Sequence, residues 1–103
     1  MPGIADTSLR GSIAFSPLSS LATMIDPERT LVVTDRTIQG LYGASFPPCP
    51  IALVPEGEAA KSWDALAGLY RRLTDMRMDR GGRILAIGGG SVSDLAGFAA
   101  HTW

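Results

Sequence analysis

The chain has 103 residues, enough for one small domain or a part of a larger one. Apolar residues make up 46% and charged residues 18%, the balance of a globular chain, and a net charge of -1 with no basic block argues against a phosphate-backbone footprint for nucleic acid. A single cysteine, Cys49, excludes an internal disulfide; no apolar run approaches the roughly 18 residues of a membrane span, and residues 1–10 lack a secretory pattern, so no membrane partner and a cytoplasmic location are expected.

Residues 1–20 are rich in Ser, Gly and Pro, with one apolar patch, Ile13, Ala14 and Phe15, that predicts a short strand. Residues 18–25 predict a short helix stopped by Asp26-Pro27. Residues 30–34, Thr-Leu-Val-Val-Thr, are apolar and β-branched on consecutive positions, which suits a strand covered on both faces. Asp35 ends it. A short helix over 36–42 follows, with Ile38, Leu41 and Tyr42 on one side and Gly43 as its C-cap. Prolines at 47, 48 and 50 exclude a helix there. Residues 51–54 predict a second buried strand, closed by Pro55-Glu56-Gly57. Residues 59–77 form the clearest helical pattern: Trp63, Leu66, Tyr70 and Leu73 recur at helical spacing, which assigns Trp63 and Tyr70 to core packing. A turn over 79–82 and a third strand over 83–87 come next. Gly88-Gly89-Gly90 then leads into a helix over 91–100, with Ser91 as N-cap, Asp94 in the first turn, and Val92, Leu95, Phe98 and Ala99 as its apolar face.

The order β-α-β-α-β-α predicts an α/β fold with a Rossmann-like parallel sheet and right-handed crossovers. Three strands are about half of a doubly wound domain. With no linker or repeat, residues 1–103 are expected to form one amino-terminal domain, and the last helix reaches Trp103 without a cap, so that domain is expected to be incomplete.

The strongest chemical signal is Gly88-Gly89-Gly90-Ser91 between a strand and a helix. Glycine lets a phosphate approach the backbone, and the helix start offers unpaired N–H groups; the triplet also suits a plain tight turn. Asp35, at the end of a strand, fits either a ribose-hydroxyl acceptor or a helix N-cap. Glu58 and Lys61, one helical turn apart, are either site residues at the same sheet edge or a surface pair. Asp94 is either a ligand contact or dipole compensation. His101 has no second histidine or cysteine at ligand spacing, Cys49 has no basic neighbour to activate it, and Ser91 and Ser93 have no histidine partner in sequence.

Taken together, Asp35, Pro-Glu-Gly-Glu-Ala-Ala-Lys at 55–61, Asp79-Arg80, and Ala-Ile-Gly-Gly-Gly-Ser-Val-Ser-Asp-Leu-Ala-Gly-Phe-Ala-Ala at 86–100 resemble the amino-terminal half of the 3-dehydroquinate synthase family. The resemblance covers about residues 30–103. Glycerol and iron-dependent alcohol dehydrogenases share a Gly-Gly-Gly-Ser-x-x-Asp element but usually continue with Ala-Lys, whereas residues 95–98 here are Leu-Ala-Gly-Phe. A fragment of such a dehydrogenase and a non-catalytic nucleotide-binding module are the rival readings.

The resemblance implies NAD as cofactor and roles for matching positions: Asp35 on the adenosine ribose, Glu58 and Lys61 lining the nucleotide site, Gly89, Gly90 and Ser91 along the pyrophosphate, and Asp94 toward the nicotinamide. Thr37 stands where the family often has Asn, and Ser93 where it commonly has Gly. The implied reaction converts the phosphorylated sugar acid DAHP to 3-dehydroquinate in the shikimate pathway, with transient reduction of NAD and loss of phosphate. It also implies a homodimer when full length, and a divalent metal, zinc or cobalt, held by a Glu and two His of a carboxyl-terminal domain. No catalytic or metal-binding residue is assigned to this chain, and the chain alone is expected to be inactive.

Overall fold

A computed structural model describes residues 26–103 in full, together with the backbone of Gly3–Ser8 and Ile13–Phe15. The helix expected over 18–25 lies outside the described residues. In chain order the elements are β1 (Gly3–Ser8), β2 (Ile13–Phe15), β3 (Thr30–Thr34), α1 (Arg36–Tyr42), β4 (Ile51–Leu53), α2 (Trp63–Asp75), β5 (Arg83–Gly88) and α3 (Gly90–Thr102). Single 3-10 turns at Pro27–Arg29, Gly43–Ser45 and Gly57–Ala60 link them.

The three expected parallel strands are present, with β3 between β5 and β4: Val32 pairs with Leu85 on one side and Ile51 on the other. The second of them, expected as a buried strand over 51–54, is instead the edge strand Ile51–Leu53, with only Ala52 buried and Leu53 exposed. All five residues of β3 are buried, as its unbroken apolar run requires. Leu31 and Val33 face α2 and α3 in the main core, while Val32, Leu85 and Ile87 face Ile38, Phe46, Cys49 and Ile51. Thus α1 covers one face of the sheet and α2 and α3 the other, the Rossmann-like α/β arrangement.

The sheet is larger than the sequence predicts. The strand at Ile13–Phe15 is there, but it pairs antiparallel with β1, and β1 pairs antiparallel with β5 from Gly3 opposite Gly88 to Ser8 opposite Arg83. The five-stranded order is β2-β1-β5-β3-β4, a mixed sheet rather than a purely parallel one. Residues 3–8 carry no apolar run, so their strand character comes from pairing with a distant edge.

The helix expected over 59–77 is broken. Gly57–Ala60 is a 3-10 turn with Ala60 buried, Lys61 ends it, and Ser62 caps α2 through a 3.1 Å bond from Ala65 N–H to its Oγ. That start sets Leu66, Leu69 and Leu73 into the core. Trp63, the first helical residue, is 81% exposed and is not a core residue; Tyr70 is half-buried against Trp103, with ring centroids 6.0 Å apart. In α1 only Ile38 reaches the core, and Leu41 is exposed. In α3, Val92, Leu95, Ala96, Ala99 and Ala100 are buried, and Phe98, expected beside them, is half-exposed. The helix rests on β5 and β1. Its last turn is pinned where Trp103 Nε1 donates to the Met78 carbonyl at 3.1 Å.

Candidate functional site

Strands β3 and β5 are parallel neighbours, yet the helices that follow them lie on opposite faces of the sheet. Their carboxyl ends therefore separate into a crevice, the place where open α/β sheets bind ligands. Thr34 and Ile87 form its floor: Thr34 Oγ1 donates to the Ile87 carbonyl at 2.6 Å and ties the two strand ends together. The sequence reading passed over Thr34, although a hydroxyl at the last position of a buried strand, just before Asp35, was the available signal.

Each expected site residue lies at this edge. Asp35 follows β3 and is nearly buried; its Oδ1 accepts the Ile38 N–H at 2.8 Å, so the carboxylate caps α1. The capping alternative is thereby realised, with the charge held at the crevice by the helix it caps. Thr37 Oγ1 meets Glu56 Oε1, which joins the turns after β3 and β4.

Lys61 comes from the turn after β4. Its Nζ lies 3.8 Å from Glu58 Oε1 and 3.8 Å from Asp94 Oδ2, which brings together three expected site residues. Glu58 and Lys61 are a turn-spaced pair as expected, though on a 3-10 turn. Asp94 is corrected: it stands in the second turn of α3, where its partner is Lys61, and no acidic residue occupies the first turn. All three side chains are well exposed, so the ion pairs themselves add little stability. Their geometry leaves an ammonium held between two carboxylates without a short bond to either.

The glycine turn is the third part. Gly88 has φ +156°, a conformation that a side chain would strain. Gly89, not Ser91, is the N-cap of α3, and no side chain caps that end. The first intrahelical bond of the turn runs from Ser93 N–H to the Gly89 carbonyl at 3.1 Å, which leaves the N–H groups of the first turn without intrahelical partners. A Cβ on Gly89 or Gly90 would meet nothing within 4 Å, so open space lies over both. An uncapped helix start beneath open space suits a phosphate.

Other singled-out residues lie elsewhere. Asp79 pairs with Arg29 and accepts the Gly81 N–H at 2.8 Å, at the amino edge of the sheet. His101 is exposed in the last turn of α3. Cys49 packs beneath α1, and burial first, then the Asp26 carboxylate, raises its thiol above the ordinary cysteine range. Among the described residues no group of three or more His, Cys, Asp or Glu could hold a metal ion, and no helix is long and apolar enough to cross a membrane.

Comparison with known proteins gives this geometry a family. Residues 51–103, which hold Glu58, Lys61, the glycine turn and Asp94, match the family model for the 3-dehydroquinate synthase N-terminal region. A 3-dehydroquinate synthase of Rippkaea orientalis is 32% identical over 94% of this chain and 30% of its own length. One from Thermococcus kodakarensis is 35% identical over 88% of this chain and 29% of its own, and one from Geotalea uraniireducens is 39% identical over 74% and 23%. The chain spans less than a third of these relatives. No solved structure matches it significantly. On the family model and these relatives, the chain belongs to the 3-dehydroquinate synthase family, in the region of its amino-terminal part.

Proposed function

We propose that this chain supplies the nucleotide-binding part of a 3-dehydroquinate synthase and holds NAD across the carboxyl ends of β3, β4 and β5. The observation that carries this reading is the uncapped start of α3 under open space at Gly89 and Gly90, with Lys61 3.8 Å from Asp94 in the next turn of the same helix. The pyrophosphate lies on the first-turn N–H groups, with Ser91 beside it. Lys61 adds positive charge that Glu58 and Asp94 keep in place, and Asp94 lies toward the nicotinamide. Asp35 turns the oxygen not used in capping toward the adenosine ribose. NAD, when bound, supplies a hydride acceptor for transient oxidation of the substrate. The residues of this chain bind and orient it.

In the whole enzyme the substrate is DAHP and the product 3-dehydroquinate. The described residues do not fit a divalent metal, so no step is assigned to one here. Catalysis is expected to require groups beyond this chain, which alone releases no phosphate from DAHP.

The reading is tested by NAD titration followed through backbone amide resonances. Amides at Gly89, Gly90, Ser91 and Lys61 are expected to shift together, while those at Asp79 and Gly81 stay still. Shifts confined to the amino edge, or none at all, would overturn it.

A further inference from the structure

Strands β3 and β4 stay paired only as far as Thr34 opposite Leu53, with one further bond from Val54 N–H to the Thr34 carbonyl at 2.9 Å. Beyond that point the two segments part. Asp35 and α1 turn to one face of the sheet, and the turn that carries Glu58 and Lys61 leads to α2 on the other. The second path bends at Gly57, which has φ +61°. A Cβ there would meet nothing within 4 Å, so no neighbour braces the joint.

Glu56 stands just before this joint. It is the N-cap of the 3-10 turn Gly57–Ala60, yet its side chain accepts no bond from that turn. The carboxylate is used across the crevice instead: Thr37 Oγ1, in the first turn of α1, donates to Glu56 Oε1. Among the described residues no other hydrogen bond or ion pair joins residues 35–42 to residues 55–61.

We propose that Thr37 and Glu56 are positioning residues whose bond sets the width of the crevice, from Asp35 on one lip to Lys61 on the other. The inference rests on the reading of this crevice as the NAD site. The lips need such a tie because each is anchored to a different layer. Asp35 is fixed by the Ile38 N–H that it accepts, and Ile38 packs on the α1 face of the sheet. Lys61 follows the buried Ala60 and lies 3.8 Å from Asp94 of α3, on the other face. NAD is extended and engages both lips at once, so its affinity depends on their separation. A ligand confined to one lip is indifferent to it. Thr37 and Glu56 meet on the surface, so loss of their bond leaves the core intact. Serine keeps the hydroxyl donor, whereas valine keeps the shape of threonine without it.

Amide resonances of the parent, Thr37→Val and Thr37→Ser test this, first without ligand and then in titrations with NAD, adenosine and inorganic pyrophosphate. In Thr37→Val the amides of Gly57, Glu58 and Lys61 are expected to shift before any ligand is added. Its dissociation constant for NAD is expected to rise at least about fivefold, while those for adenosine and pyrophosphate, probes of one lip each, stay within about twofold. Thr37→Ser is expected to match the parent throughout. Glu56→Leu is expected to repeat the Thr37→Val result, and the double variant to add nothing to either. Gly57 and Lys61 amides that ignore Thr37→Val, NAD bound as tightly as by the parent, or single-lip probes weakened as much as NAD would each overturn the proposal. So would a serine variant no better than the valine one, or additive losses in the double variant. A parent chain that binds no NAD would overturn the reading of the site itself, and the inference with it.

Discussion

The two edges of the sheet carry similar residues and use them differently. At the amino edge, Asp79 holds Arg29 and the Gly81 N–H, and Trp103 donates to the Met78 carbonyl while its ring packs at a tilt against Tyr70. These polar groups find partners within the chain, although the buried Thr30 Oγ1 nearby has none among the described residues. At the carboxyl edge, Lys61 stands 3.8 Å from each of two carboxylates, the start of α3 has no side-chain cap, and open space lies over Gly89 and Gly90. Both edges have acidic residues, basic residues and a glycine turn. On the proposed reading, the edge whose charged groups bond one another is structural, and the edge with an uncapped helix start is the binding one.

The comparison breaks most visibly through stability. Trp103→Ala removes a hydrogen bond and an aromatic contact at the amino edge. It is expected to cost about 2 kcal/mol in urea unfolding and to leave NAD affinity unchanged. A parallel loss of affinity would erase the distinction between the edges.

Asp35→Ala crosses the two categories, because this residue both caps α1 and faces the crevice. Loss of the cap is expected to cost about 1 kcal/mol of stability, and loss of the ribose acceptor is expected to weaken NAD. Urea unfolding and calorimetric titration of the same variant read both. A stability loss without any affinity loss would make Asp35 a cap alone.

The smallest effect is at Cys49. Burial, with the Asp26 carboxylate second, raises its thiol, so less thiolate is present at neutral pH than for an ordinary cysteine. Iodoacetamide is expected to modify it more slowly than a free cysteine at pH 7, and faster labelling would contradict this.

The parts legible in sequence were those set by local pattern. The runs in β3, β4 and β5 are apolar on consecutive positions, and the glycine triplet with its following helix reads directly as a strand-turn-helix unit. Asp35 was legible as one of two roles, and its geometry serves capping at the crevice. The non-local features were not legible. β1 exists because β5 offers an edge, and nothing in Gly-Ile-Ala-Asp-Thr-Ser signals it. Trp63 matches the α2 stripe in spacing, but Ser62 starts the helix so late that the ring stands out beside Phe98 in a cleft of about 240 Å³. Asp94 reads as dipole compensation until folding sets it beside Lys61, a pairing that no spacing reveals.

The most direct test of the account is a calorimetric titration of NAD into the parent chain and into Gly90→Val. The substitution places a branched side chain in the open space at the helix start, where no neighbour stands within 4 Å of the Cβ, so the fold is expected to persist. The account predicts NAD affinity lowered at least about tenfold, or about 1.4 kcal/mol, with the unfolding transition nearly unchanged. A folded Gly90→Val chain that binds NAD as tightly as the parent would contradict the placement of the pyrophosphate on this turn.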